Sequence, residues 1–243
     1  MHMLKAIAIA VLPRCVIEKV KFSILDGYSI KSYSQEGEDM VLRRIFENNS
    51  KGFYVDIGAH HPKRFSNTYY FYRRGWRGIN IDATPGIMRA FNKVRPADIN
   101  IEAPISSKRQ TLTFYMFNEP ALNGFSKLLS EQRNNTSQAY KITRTINLDT
   151  FTLSEILAKH LPKGQLIDFM SIDVEGLDFD VLLSNDWSQF RPKVILVEIL
   201  KIPLDELLNH EITKLLKSKG YLILSKTMNT VFFTLDASRR NAY

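Results

Sequence analysis

The alternation of apolar and polar positions predicts strands and helices that follow one another along the chain. Apolar, aromatic and β-branched runs predict strands at 53–57 and 77–82 and a third within 98–106, together with its exit loop. Helical segments at 69–74 and 87–93 separate these strands. Strands that alternate with helices are typical of βαβ units in a parallel sheet.

The same pattern continues through the second half of the chain. Further strands are predicted at 110–117, 142–148, 165–172, 194–198, 221–224 and 230–235. Further helices are predicted at 36–48, 154–160, 178–183 and 204–218. Residues 118–140 show little periodicity, which predicts an irregular insertion that serves as an acceptor-side loop, with plain disorder as the alternative.

The organisation indicated is one domain, 32–243, preceded by an accessory helix and linker, 1–31. The longest apolar run, Ala6–Leu12, is far shorter than the roughly 20 residues that a bilayer requires. The segment therefore favours a helix that contacts the body or a membrane surface, and a cytoplasmic, at most membrane-peripheral, location. The single Cys15 excludes an intramolecular disulfide and a multi-cysteine zinc site.

Charge is distributed unevenly in this chain of net charge +8. Between His61 and Arg95 there is one acid, Asp82, among eight basic residues. They are Lys63, Arg64, Arg73, Arg74, Arg77, Arg89, Lys93 and Arg95. Such a cluster could attract phosphates, carboxylates or lipid headgroups, or it could be an ordinary solvated surface.

Acidic residues occur at the ends of four predicted strands, namely Asp56, Asp82, Asp173 and Glu198. Because the carboxyl ends of parallel strands share one edge of a sheet, we expect these carboxylates to meet in one crevice. Asp82 follows Asp56 by 26 residues, close to the spacing at which a second-strand acid accepts ribose hydroxyls. This spacing predicts a cofactor that contains adenosine.

The phosphate-binding glycine motifs are missing. After the 53–57 strand the turn contains only Gly58, and no Gly-x-x-x-x-Gly-Lys-Ser/Thr sequence is present. A cofactor without a pyrophosphate does not need them, and S-adenosylmethionine, which carries positive charges, would complement an acidic turn. An ordinary βα connection is the alternative for this stretch.

Six ordered blocks resemble the FkbM-type methyltransferases. They are Ser34–Asp39, Tyr54–Pro62, Ser66–Thr68, Gly75–Asp82, Ser171–Gly176 and Arg191–Glu198. The resemblance implies a Rossmann-like class I methyltransferase, an α/β fold with a mostly parallel seven-stranded sheet, helices on both faces and a reversed last strand. It also implies S-adenosylmethionine-dependent O-methylation, in this family commonly of sugars or of hydroxyls on secondary metabolites.

The resemblance also implies roles for individual residues. Asp56, Gly58 and Ala59 would line the methionine and sulfonium part of the cofactor; Asp173, on its charge and not on the resemblance, could bind the cofactor amine. Asp82 would bind the ribose, Ala83 the adenine, and Ile105 with Ser106 the adenine edge. Gln35 and Glu38 would close over the cofactor.

His60, His61 and Glu175 are the candidate catalytic residues. Histidine is the side chain best suited to accept a proton from a hydroxyl near neutral pH, although His61 could instead cap the following helix. Glu175 would orient the acceptor. Asp173 and Glu175 could also hold a divalent cation, but their spacing is not specific enough to predict a metal.

The predicted acceptor is a hydroxyl of a surface glycan, a nucleotide sugar or a glycosylated metabolite, and the basic cluster suggests that it carries negative charge. Nucleic-acid methylation is a weaker alternative, because Ser171–Gly176 lacks a Pro-Pro-aromatic run and its two acids would repel phosphate. No nucleic-acid partner is therefore expected. A scaffold that binds cofactor without turnover is the non-enzymatic alternative.

Overall fold

The computed structural model describes Pro13, Val16 and residues 28–236. The chain divides into two compact units, 1–32 and 33–243, and all strands in the described part of the chain belong to the second. The predicted accessory helix falls almost entirely outside the described residues. Within the described residues, no helix is long and apolar enough to cross a bilayer.

Nine strands in the described part of the chain form two sheets. The strands are β1 (Phe53–Ile57), β2 (Arg77–Asp82), β3 (Ile99–Glu102), β4 (Thr111–Phe117), β5 (Ile142–Asp149), β6 (Phe169–Ile172), β7 (Val194–Glu198), β8 (Tyr221–Lys226) and β9 (Thr230–Leu235). The seven-stranded sheet has the order β3-β2-β1-β6-β7-β9-β8. Its first five strands pair in parallel, and β9 is antiparallel to both neighbours. This topology confirms the predicted Rossmann-like class I methyltransferase fold with its reversed last strand.

Seven α-helices accompany the strands in the part of the second unit that the structure describes. They are α1 (Glu38–Ile45), α2 (Tyr69–Tyr72), α3 (Met88–Val94), α4 (Lys127–Thr136), α5 (Leu153–His160), α6 (Asp178–Leu183) and α7 (Glu211–Ser218). The helix predicted over 204–218 is interrupted, because a 3₁₀ turn at Leu207–Asn209 precedes α7.

Apolar side chains pack against both faces of the large sheet, and strand β1 contributes to both. Val55 and Ile57 lie in the larger apolar cluster, whereas Tyr54 packs in a second cluster with Phe71 of α2. Successive side chains of a strand point to opposite faces. Asp56 therefore shares the face of Tyr54 and α2.

Strands β4 and β5 form a separate antiparallel pair, and we call residues 111–149 the arm. The prediction of an irregular insertion at 118–140 is wrong, since this segment contains a 3₁₀ turn at Pro120–Leu122 and the ten-residue helix α4. Ser126 caps α4 by accepting a hydrogen bond from the Leu129 amide. Because α4 is mostly polar, it lacks the apolar periodicity by which a helix is predicted.

Candidate active site

A cavity of about 340 Å³ lies at the carboxyl edge of the parallel strands, beneath the arm. We call it the crevice. Its walls include eight of the predicted site residues: Gln35, Gly58, His60, Asp82, Ala83, Ile105, Asp173 and Glu175. The size is that of a pocket for a small molecule.

Gly58 brings the first turn of the crevice against the turn after β6. Its φ is +79°, and a Cβ atom placed there would lie 1.7 Å from the backbone oxygen of Asp173. Only glycine permits this conformation and this approach. The requirement for Gly58 thus comes from packing between two strand ends as well as from any ligand.

Asp82, the last residue of β2, holds the loop after β1 in place. Its two carboxylate oxygens accept hydrogen bonds of 2.8 Å from the backbone amides of Thr84 and His60. A carboxylate has about four acceptor positions, so Asp82 can still accept ribose hydroxyls. Apolar side chains line the crevice beside it: Ile81, Ala83, Ala103, Ile105 and Phe114. An acid next to an apolar slot fits an adenosine group.

His60 is one of the residues that line the crevice. Its Nε2 atom is buried and has no hydrogen-bond partner among the described residues. Burial lowers the pKa of His60, and the positive charge of Arg64 lowers it further, while Asp82 opposes the shift. The neutral imidazole therefore predominates at physiological pH, and its free nitrogen could accept a proton.

Left-handed backbone conformations concentrate at the crevice. Of the four described non-glycine residues with positive φ, three line it: His60 (φ +51°), Phe65 (φ +56°) and Glu175 (φ +52°). Such conformations cost free energy and persist where the surrounding structure enforces them, often at functional sites.

His61 does not line the crevice, contrary to prediction. Its Nδ1 atom accepts hydrogen bonds from the backbone amides of Lys63 and Arg64, at 3.0 and 2.9 Å. In the neutral ring the proton is then on Nε2, so neither nitrogen is available as a base without loss of this turn. His61 therefore caps the turn at 63–64 and not the following helix, which begins at Tyr69.

Asp56 also departs from its predicted role. It is the penultimate residue of β1, so its side chain points to the α2 face, where it accepts a 2.7 Å hydrogen bond from Thr68 Oγ1. Burial raises its pKa, while Arg95 opposes this shift. Of the four acids expected to converge, Asp82, Asp173 and Glu198 reach the crevice.

Three further predicted contacts lie outside the crevice. Ala59 packs with Met88 and Phe91 of α3. Ser106 is buried and accepts a hydrogen bond from Gln110 Nε2, while its neighbour Ile105 lines the crevice. Glu38 lines a smaller adjoining cavity.

Three carboxylates form a cluster on the crevice floor. The carboxylate oxygens of Asp173, Glu175 and Glu198 lie within 4.8 Å of one another. Burial together with the charges of Glu175 and Asp178 raises the pKa of Glu198 to about 8. Desolvation by the surrounding protein and the charges of Glu198 and Glu175 also raise the pKa of Asp173. The donor types would suit a divalent cation.

Replacing Glu198 with Gln should change the pH dependence of stability. As pH rises from about 4.5 to about 8, the unfolded chain ionises Glu198 and the folded chain does not, so stability is lost across this window. The stability of the variant relative to wild type should therefore increase with pH. Urea unfolding at about pH 5, 7 and 9 measures this, with exposed Glu206→Gln as control. A relative stability that falls with pH would contradict the assignment.

The arm contributes crevice residues that sequence reasoning missed. Glu119 forms a paired hydrogen bond with Arg64, at 2.9 and 3.1 Å. Arg133 of α4 lies 2.7 Å from Glu175 and opposes the rise in the pKa of Glu175 that burial causes. Both pairs join the arm to loops of the main sheet. The local sequence pattern does not indicate pairs between residues so far apart in the chain.

The basic cluster does not form the crevice wall. Arg95 is fully buried, where it pairs with Asp98 at 2.8 Å and donates to the hydroxyls of Tyr54 and Thr68. Of the eight residues in the cluster, Arg64 alone lines the crevice. Among the described residues the crevice has five acidic side chains and two arginines, Arg64 and Arg133. The crevice itself is therefore acidic.

Comparison with solved structures gives distant similarities. A protein from Pyrococcus horikoshii, provisionally assigned as an RNA methyltransferase, has a TM-score of 0.42 and 10% identity over 82% of this chain and 83% of its own. A methyltransferase from Geobacter sulfurreducens has a TM-score of 0.40 and 13% sequence identity, with 97% of both chains covered. An O-methyltransferase from Bacillus cereus, in complex with S-adenosylhomocysteine, has a TM-score of 0.36 and 10% sequence identity, with 96% of both chains covered. Similarity at this level does not bear on function.

No curated protein sequence matches the chain. A family does match. The sequence profile described as the methyltransferase FkbM domain matches residues 56–223, which include the crevice-lining ends of β1, β2, β6 and β7. With more than half of its length matched, the chain belongs to the FkbM family of S-adenosylmethionine-dependent methyltransferases.

Proposed function

We propose that the protein transfers a methyl group to a hydroxyl of a carbohydrate-type acceptor, with His60 as general base. The observation that supports this most strongly is the unpartnered Nε2 atom of His60, a residue that lines the same crevice as Asp82. The backbone amide of His60 donates to Asp82, so the proposed base and the proposed ribose ligand are fixed to each other.

The cofactor supplies a methyl group bound to a positively charged sulfur, which leaves as a neutral thioether. In this proposal Asp82 binds the ribose hydroxyls, and Ile81, Ala103 and Ile105 enclose the adenine. Asp173 and Glu198 share the crevice, and the positive charge of the cofactor would lower their raised pKa values and favour the carboxylate forms that complement it.

The remaining walls suit a hydroxyl-rich acceptor. Carboxylates and the Arg133–Glu175 pair offer acceptors and donors to neighbouring hydroxyls, and Phe65, Phe125 and Tyr140 add aromatic surface. Holding the acceptor oxygen in line with the methyl group would supply much of the rate. His60 would take the hydroxyl proton on Nε2 as the oxygen–carbon bond forms.

Three alternatives have weaker support. A nucleic-acid substrate would bring phosphates toward a crevice with five acidic side chains, which is electrostatically unfavourable. A scaffold without turnover would not require a buried neutral imidazole without a partner. An amine acceptor would be compatible with the acidic floor, and a transferred methyl group found on nitrogen would identify it.

The test is transfer of a trideuterated methyl group from S-adenosylmethionine into a cell extract that is then separated into glycan, nucleic-acid and small-molecule fractions. We expect label in the glycan or glycoside fraction, on oxygen, as shown by mass spectrometry of the released sugars. Label on nitrogen, or in RNA or DNA, would contradict the proposal, as would binding of the cofactor with no transfer to any fraction.

A further inference from the structure

A strip of alternating aromatic and cationic side chains lies beside the crevice. It consists of Tyr33, Lys63, Tyr69, Tyr72, Arg73 and Arg77. We call it the basic strip. Its three cations are exposed and its three rings are partly buried.

Ring contacts make the basic strip continuous. Tyr69 meets Tyr33 edge to face, with ring centres 4.8 Å apart, and stacks on Tyr72 at 6.3 Å. Each ring carries a cation: Lys63 lies 5.7 Å from the Tyr69 ring centre. Arg73 lies 6.0 Å from the ring centre of Tyr33, and Arg77 lies 5.3 Å from the ring centre of Tyr72. Cation–π contacts of this kind favour these positions of the positive groups.

Among the residues that the structure describes, no acid pairs with the cations of the basic strip. Residues 62–81 contain no acid. Within the described residues, no ion pair involves Lys63, Arg73 or Arg77, whereas their neighbour Arg64 is paired with Glu119. Fixed positive charges without counterions raise the local concentration of anions.

The basic strip begins at the mouth of the crevice. Lys63 is adjacent in sequence to Arg64 and Phe65, which both line the crevice. From there the strip runs along α2 to Arg73 and Arg77. Along the chain, the lining of the acidic crevice is therefore followed directly by the basic strip.

We infer that the acceptor is an extended glycan bearing carboxylate or phosphate groups, whose charged units lie on the basic strip while an uncharged hydroxyl enters the crevice. This inference rests on the proposed function. It assigns the two parts of the acceptor to different surfaces. The reacting unit contacts the acidic side chains of the crevice, and the flanking units contact the cations of the basic strip.

Nucleic acid and membrane fit the basic strip less well. Binding of single strands depends on open aromatic faces for base stacking, whereas the faces of Tyr69 and Tyr72 contact each other and the strip's own cations. A membrane surface site usually adds exposed apolar side chains that insert. None of the strip's own rings is among the exposed large apolar side chains described.

The test is binding of defined glycan fragments to the full chain by calorimetry. The probes are oligogalacturonate and phosphorylated dextran, with unmodified dextran of matched length as the uncharged comparison. The variant is R73Q/R77Q, and the matched control is K214Q/K217Q, which removes two exposed lysines from α7. We expect at least one of the anionic probes to bind wild type with an affinity that falls as the salt concentration rises. R73Q/R77Q should bind that probe about three- to tenfold more weakly than wild type does. The control should bind as wild type.

Equal affinity of R73Q/R77Q and wild type, equal weakening in K214Q/K217Q, or equal binding of uncharged dextran would each overturn the inference. Tighter binding of duplex DNA or of phosphatidylserine vesicles, lost in R73Q/R77Q, would assign the strip to that partner instead and overturn it as well. S-adenosylmethionine binding, titrated in the same samples, should be equal in all three proteins. Its absence from wild type would count against the proposed function, independently of the strip.

Discussion

An Asp82→Ala variant is expected to bind S-adenosylmethionine at least about a hundredfold more weakly than wild type. The substitution removes the acceptor for ribose hydroxyls and leaves the backbone amides of His60 and Thr84 without their 2.8 Å partner. A hydrogen bond to a charged group contributes roughly 1.5–3 kcal/mol, and each 1.4 kcal/mol is about a tenfold change in affinity. More than one such bond is lost.

Calorimetry with the cofactor and with S-adenosylhomocysteine measures this loss. Asp186→Ala is a matched control, because Asp186 also accepts a backbone amide, that of Ser188, in an exposed loop that does not line the crevice. Both variants should keep the circular dichroism of the fold. Wild-type affinity in Asp82→Ala would show that the cofactor binds elsewhere.

A His60→Asn variant is expected to lose about 10²- to 10⁴-fold in kcat, the usual contribution of a general base. Its affinity for S-adenosylmethionine should change little, because the contact of residue 60 with Asp82 is made by the backbone. His61→Asn is the control. The two histidines are adjacent, but His61 uses Nδ1 to cap the turn at 63–64, and an asparagine oxygen can accept similar bonds.

The pH profile gives an independent readout of His60. Burial and Arg64 lower its pKa below the ordinary 6.5, so the base is neutral above that value and charged below its lowered pKa. The acid limb of kcat/KM should therefore lie below pH 6.5 in wild type and in His61→Asn, and be absent from His60→Asn. Equal rates in the two single variants, or an acid limb that survives in His60→Asn, would assign the proton transfer to another group.

Much of the fold could be predicted from the sequence because buried parallel strands are short apolar runs between helices. Asp82 could be placed for the same reason: it ends β2 and so lies at the carboxyl edge whatever the details of the loops. The motif residues of the family also identified the turn that carries Gly58 and His60.

Other site residues depended on features that the sequence pattern does not contain. Asp56 lies one position before the end of β1, so the alternation of the strand turns it to the α2 face. The two adjacent histidines differ because His60 adopts a left-handed backbone conformation and its neighbour caps a turn. Arg133 reaches Glu175 from 42 residues away in sequence, on a polar helix without apolar periodicity.

The most direct test of cofactor binding and proton transfer in the crevice is a crystal structure of the protein with S-adenosylhomocysteine bound. We predict the ribose hydroxyls on the carboxylate of Asp82, the adenine against Ile105, and the sulfur open to the part of the crevice that holds His60 Nε2. A ribose bound away from Asp82, or an imidazole of His60 separated from the sulfur by the arm, would contradict these assignments.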